Sequence, residues 1–203
     1  TSAATRFGRP RPARNTRSPC TTAQRWPVCV GVKKIVAMAG LPAGSETDTT
    51  PNWITSTVSW PDFMAPAYEY QWKVTIEFWN EFIVHCKKCG IEHIAIEEFP
   101  GTMVWSASTC SSCVRLPTML GINLDPSHMM VLGADPIAAA RALKGCIFHV
   151  HGKDARIERG LADTDGLLEP RPVTESADRV WNYVAVAAAR TSSGGRNSSP
   201  FAT

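Results

Sequence analysis

The sequence contains no apolar run approaching the ~18 residues that a membrane-spanning helix needs. Its N-terminal stretch also lacks the apolar core of a secretory signal. The expectation is a cytoplasmic protein with no membrane partner. No Asp or Glu precedes Glu46, whereas Arg6, Arg9, Arg11, Arg14, Arg17 and Arg25 are scattered there among Pro, Thr, Ala and Ser. A segment of that composition cannot bury a core and reads as a non-native or disordered basic end, residues 1–29, rather than a nucleic-acid-binding arm. The chain begins with Thr1, so its natural start is expected to lie further upstream. Net charge is only +3, too little to imply a polyanionic partner. Seven cysteines, an odd number, argue for reduced thiols over a disulfide framework.

What remains is ordinary globular sequence with 44% hydrophobic residues. "VGVKKIVAMAG" (30–40) reads as a strand closed by Gly40 and Pro42. Between Pro66 and Cys89, the apolar residues Trp72, Ile76, Trp79, Ile83 and Cys86 keep helical spacing, and Gly90 ends the helix. "IEHIAIEE" and "MLGINLD" are short buried strands, and "CIFHVHGKD" reads as another strand ending in polar residues. "ADPIAAARALKG" has Asp135 as N-cap and Pro136 at the first helical position, and "VWNYVAV" reads as extended. Nearly all-apolar strands alternating with helices predict an α/β fold with a parallel sheet.

Three of these strands finish in groups that bind cations: Glu97, Asp125 and His151. In a parallel sheet such ends share one edge, and the side-chain period of two places Ala95 with Glu97, Asn123 with Asp125, and His149 with His151. Two carboxylates and an imidazole suit one divalent ion such as Mn²⁺, Mg²⁺, Co²⁺ or Zn²⁺. In "NLDPSH" the Asp-Pro pair is also a common helix start, and capping and ligation can coexist at Asp125. A rival metal signal is Cys86-x-x-Cys89 with Cys110-x-x-Cys113, the spacing of a zinc ribbon in a nucleic-acid-binding protein. Against it, Cys86 falls on the apolar helix face and a core strand separates the pairs. His85 and His93 read as surface or helix-flank residues.

At "IAIEEFPG", "GINLDPSHMMVLGADPIAAARAL", "IFHVHGKDARI" and "WNYVAV" the chain resembles the sugar phosphate isomerase/epimerase family, with its xylose isomerase-like TIM barrel. The resemblance implies a (β/α)8 barrel over residues 30–186 and one divalent ion, held by Glu97, Asp125, His151 and a second Glu. It also implies proton abstraction next to a sugar or polyol carbonyl through an enediolate. Glu97 and His128 would be catalytic, His128, Lys153 and Arg156 would bind substrate, and His149 would support His151. A homo-oligomer is compatible with this assignment.

A complete barrel of this kind takes about 250 residues, and this chain offers about five of its eight strands. The first two strands and the last, which would deliver the fourth ligand, have no counterpart, so the expectation is an incomplete barrel. An inactive, frameshifted member of the family is the alternative reading. Residues 187–203 lack apolar periodicity, and their codons read in another frame permit an amphipathic helix. A frameshift near 187–190 is therefore expected, with similar patches at 1–29 and at "STCSSCVRLP" (108–117).

Overall fold

The computed structural model describes residues 31–54, 61–113 and 119–188. The expectations for residues 1–29 and for the tail beyond 188 lie outside the described residues. Four strands, β1 (Lys34–Met38), β2 (His93–Glu97), β3 (Leu120–Leu124) and β4 (Ile147–Val150), form one parallel sheet in that order. β3 is buried along its whole length and β2 at every position but the first, which is why both read as continuous apolar runs. β1 and β4 are the sheet edges and leave Val36, Met38 and Val150 exposed. The side chain of Lys34 ties these edges together, donating from Nζ to Phe148 O at 2.7 Å.

Helix α1 (Pro61–Lys88) covers one face of the sheet. It begins five residues before the expected Pro66, which sits inside it. An internal proline removes one i→i−4 bond, here to the carbonyl of Asp62 in the first turn, where helical bonding is least developed. The buried stripe also differs from the apolar spacing in its first half, consisting of Gln71, Thr75, Trp79, Ile83 and Cys86, while Ile76 is exposed. The donors of its polar residues are bonded. Gln71 Nε2 donates to Pro42 O (2.7 Å) and Asn52 O (2.6 Å), and Thr75 Oγ1 donates to Gln71 O (2.8 Å). At the far end Gly90 adopts φ 75°, and Ile91 N–H returns to Cys86 O, closing the helix.

A short helix α2 (Ala107–Cys113) forms within the stretch suspected of frame disturbance. After β3 come α3 (Pro126–Val131) and α4 (Pro136–Ala142), both with proline at their starts and an aspartate N-cap. The stretch "CIFHVHGKD" is divided, and its strand stops at Val150, one residue before the expected His151. His151, Gly152 and Lys153 separate β4 from β5 (Asp154–Ile157), which leaves the parallel sheet and pairs antiparallel with β6 (Trp181–Val184). "VWNYVAV" therefore does not supply a fifth parallel strand. Three residues cannot hold the crossover that a parallel neighbour requires, so the chain turns out of the sheet and builds a ribbon over its C-terminal edge. Between the ribbon strands lie α5 (Arg159–Asp165) and a 3₁₀ turn (Val173–Glu175).

Gly121 on β3 shows how tightly the interior is filled. A Cβ there would come within 2.4 Å of the Phe148 ring. Gly121→Ala should therefore destabilise the fold by about 1–3 kcal/mol. Adding Phe148→Ala should cancel part of that loss in denaturant titrations, whereas strict additivity would rule out the clash.

Candidate metal and acid–base site

Parallel register brings the three strand ends to one edge, with Glu97 opposite Asn123 and Asn123 opposite His149. Asp125 follows β3 directly and does two jobs. Its Oδ1 accepts from Ser127 N (3.0 Å) and Ser127 Oγ (2.6 Å), capping α3, while Oδ2 faces the cluster. The one helical turn so started carries His128 back over the sheet. Its Nε2 lies 3.1 Å from Glu97 Oε1 and 3.4 Å from Asp125 Oδ2.

His151 Nδ1 stands beside the same carboxylates, 3.4 Å from Glu97 Oε1 and 3.6 Å from Asp125 Oδ2. Lys153 Nζ lies 2.9 Å from Asp125 Oδ2 and 3.0 Å from His128 Nε2. Glu97, Asp125 and His128 are all buried, and each offers a ligand atom within 4.8 Å of the others'. His128, read from sequence as a catalytic and substrate-binding group, thus sits among the candidate ligands, as fully buried as Asp125, with His151 at its flank.

Two other sequence candidates lie apart from the cluster. His149 meets His151 only ring to ring, with centroids 5.7 Å apart, and the polar neighbour of His151 Nδ1 is instead Asn123 Nδ2 at 3.1 Å. Arg156 is engaged by Glu158 Oε1 through Nε (2.7 Å) and Nη2 (2.6 Å). It lines an open cleft of about 510 Å³ together with Arg179, Asn182 and Tyr183. Tyr183 joins the two regions, because its hydroxyl lies 2.8 Å from His128 Nδ1.

Tyr183 was not legible as a site residue, since only the antiparallel ribbon brings "WNYV" over "DPSH". Glu98 was also missed. The strand period turns it away from Glu97, and it is fully buried, accepting the Asp125 N–H at 2.6 Å through Oε1. The doubled Glu in "IEE" was the available signal.

Burial, more than any other effect, holds the His128 pKa below its ordinary value, and Lys153 adds to this against the pull of Asp125 and Glu97. Nε2 faces both a donor, Lys153 Nζ at 3.0 Å, and an acceptor, Glu97 Oε1 at 3.1 Å, and in the tautomer that accepts from Lys153 the ring proton is on Nδ1 and is donated to Tyr183 Oη. The Nε2 lone pair then points into the cluster. Asp125 Oδ2, also buried, accepts no hydrogen bond of ordinary geometry among the described residues, where the Lys153 ammonium and the two imidazoles face it. A mixed oxygen and nitrogen donor set around such an oxygen fits a small divalent cation.

Burial pushes the Glu98 carboxyl up to about 8. A group whose pKa rises on folding stabilises fully below its unfolded pKa and loses that contribution as pH climbs through the folded value. The metal-free protein should therefore lose on the order of a few kcal/mol between about pH 4.5 and 8. Glu98→Gln keeps an acceptor for Asp125 N–H and should flatten that profile in thermal melts. An unchanged slope would refute the assignment.

The zinc-ribbon alternative finds no support in these positions. Cys86 and Cys110 lie in the apolar core, and Cys89 Sγ contacts His85 Nε2 on the helix surface. Among the described residues, the acid–imidazole cluster is the group with metal-ligand geometry. His93 is exposed, with its ring 4.9 Å from that of Phe148.

Helix-covered parallel strands that gather polar groups beyond their C-terminal ends are the pattern of α/β proteins, the TIM barrels among them. The chain belongs to the xylose isomerase-like TIM barrel family, whose model matches residues 31–178. It is 49% identical over 159 residues to the uncharacterized protein YfiH of Bacillus subtilis (strain 168), a match covering 77% of this chain and 51% of that protein. The chain thus spans about half the length of its curated relative. Among solved structures, a xylose isomerase domain protein from Planctomyces limnophilus superposes with a TM-score of 0.51 at 19% identity, over 86% of this chain and 50% of that one. The probable 3-DHS dehydratase AsbF from Bacillus anthracis gives a TM-score of 0.45 at 18% identity, over 74% and 47%. No helix among the described residues is long and apolar enough to cross a membrane.

Proposed function

We propose that this chain carries the metal and acid–base centre of a divalent-metal-dependent sugar or polyol isomerase or epimerase. The observation behind the reading is the convergence of Glu97, Asp125 and His128, with His151 beside them, at the C-terminal edge of a parallel sheet. Glu97, Asp125 and the two imidazoles would hold the ion, which would polarise neighbouring carbonyl and hydroxyl oxygens of the substrate.

The chain's own groups account for the remaining chemistry. Glu97, at the end of β2, removes the proton from the carbon next to the carbonyl, giving an enediolate. His128, held through Nδ1–H by Tyr183 Oη, keeps its Nε2 lone pair for the ion, and Glu97, once protonated, returns the proton to the neighbouring carbon. Lys153 places positive charge against the developing oxyanion. Arg156, across the cleft shared with Tyr183, binds the substrate's far end. The burial of the carboxylates keeps water from competing with these contacts.

The test is incubation with a panel of aldoses, ketoses and inositols in deuterated buffer containing MnCl₂. The reading predicts deuterium entering the carbon next to a carbonyl for at least one compound, or interconversion of two. No incorporation across the panel by protein with Mn²⁺ bound would count against it.

A further inference from the structure

Lys153 occupies an unusual place for a group meant only to meet substrate. Its ammonium lies 2.9 Å from Asp125 Oδ2 and 3.0 Å from His128 Nε2, two of the three atoms that define the candidate cation site. It is also the only full positive charge of the described residues placed against Asp125 Oδ2, an oxygen that ordinary hydrogen bonding does not satisfy. A buried carboxylate left without a counter-charge is costly, so a cation beside Oδ2 stabilises the folded protein.

We propose that Lys153 is an internal stand-in cation that holds the metal-free cluster together, and that a divalent ion and the Lys153 ammonium exclude each other from it. The inference rests on the metal reading above. Two positive centres cannot both lie within ligand distance of Asp125 Oδ2 without strong repulsion.

In its seat on Asp125, Lys153 Nζ already lies 4.4 Å from the centroid of the Tyr183 ring, so an ammonium that withdraws along the ribbon can keep this cation–π contact. The side chain is about one-third exposed, so withdrawal from Asp125 opens toward solvent rather than into the core. Tyr183 lines the cleft that Arg156 also lines. Metal entry would thus release a positive charge toward the substrate's side of the site and couple cation loading to ligand binding. Because the ammonium must leave first, it lowers apparent metal affinity by the fraction of time it is seated. Occupancy of about nine-tenths means a tenfold reduction.

Two measurements test this. In calorimetric titrations with MnCl₂, Lys153→Met should bind at least about tenfold more tightly than the parent chain, and its metal-free form should melt at lower temperature. In the unmutated protein, saturating MgCl₂ should speed reductive methylation of Lys153 several-fold, read by peptide mass spectrometry. Lys33, paired with Glu92 on the surface, should not change. The methylation result decides the matter if the variant fails to fold. Equal or weaker Mn²⁺ binding by the variant, or Lys153 reactivity indifferent to Mg²⁺, overturns the stand-in role while leaving the metal reading intact. Failure of both proteins to bind any divalent ion overturns both.

Discussion

Asp125→Ala should yield a chain that no longer retains Mn²⁺ and melts earlier than its parent. Two losses combine in this variant. Removing Oδ1 takes away the α3 cap that serves Ser127 N and Ser127 Oγ, an effect of about 1 kcal/mol. Removing Oδ2 deletes the carboxylate oxygen around which His128, His151 and Lys153 are gathered. Outer partners of metal sites commonly cost about 10–100-fold in affinity, so a direct ligand should exceed 100-fold. Asp125→Asn separates the two roles, since its amide oxygen can still cap the helix while the charge is gone. Thermal melts should place Asn near the parent, and calorimetry should place it near Ala. Mn²⁺ binding by either variant at parental strength would remove Asp125 from the site.

Glu97→Gln should cost the largest factor in turnover. The residue ends β2, and its Oε1 lies 3.1 Å from His128 Nε2 and 3.4 Å from His151 Nδ1. A positioned general base contributes roughly 10²–10⁴-fold, and the amide cannot accept a proton. Solvent deuterium exchange into substrate should fall by that factor. Circular dichroism should be unchanged, because Gln has nearly the same shape. Mn²⁺ affinity should fall less than for Asp125→Ala, since the amide oxygen remains a weak ligand. Exchange at the parental rate would assign the base elsewhere.

The parts of this site visible in the sequence were those governed by local rules. β2 and β3 announced themselves by continuous apolar runs, and their terminal carboxylates fell where parallel register placed them. The cap formed by Asp125 was legible because Asp-Pro-Ser carries its own backbone logic. The buried stripe of α1 was only half legible, because burying Gln71 depends on carbonyls of Pro42 and Asn52 far away in sequence. The ribbon of β5 and β6 was hidden for the same reason. Its antiparallel pairing joins residues near 155 and 183, and no local period records that partnership.

Tyr183 and the true neighbours of Lys153 depend on that ribbon. Sequence spacing placed Lys153 close behind His151 at the end of β4 but gave no reason to seat it on Asp125. Glu98 was obscured by its neighbour, since "EE" reads as a solvated strand end until both flanking layers are known to be packed. Fold class and the strand-end residues of the candidate site were thus local information, whereas the contacts around those residues were tertiary.

The central claim is that this cluster takes up one divalent cation. Isothermal titration of the purified chain with MnCl₂, after exhaustive chelation, tests it most directly. The structure predicts one ion per chain, with binding lost in Asp125→Ala and retained when Cys86 and Cys110 are both replaced by Ser in a folded variant. No binding, or binding that follows the cysteines instead of Asp125, would contradict it.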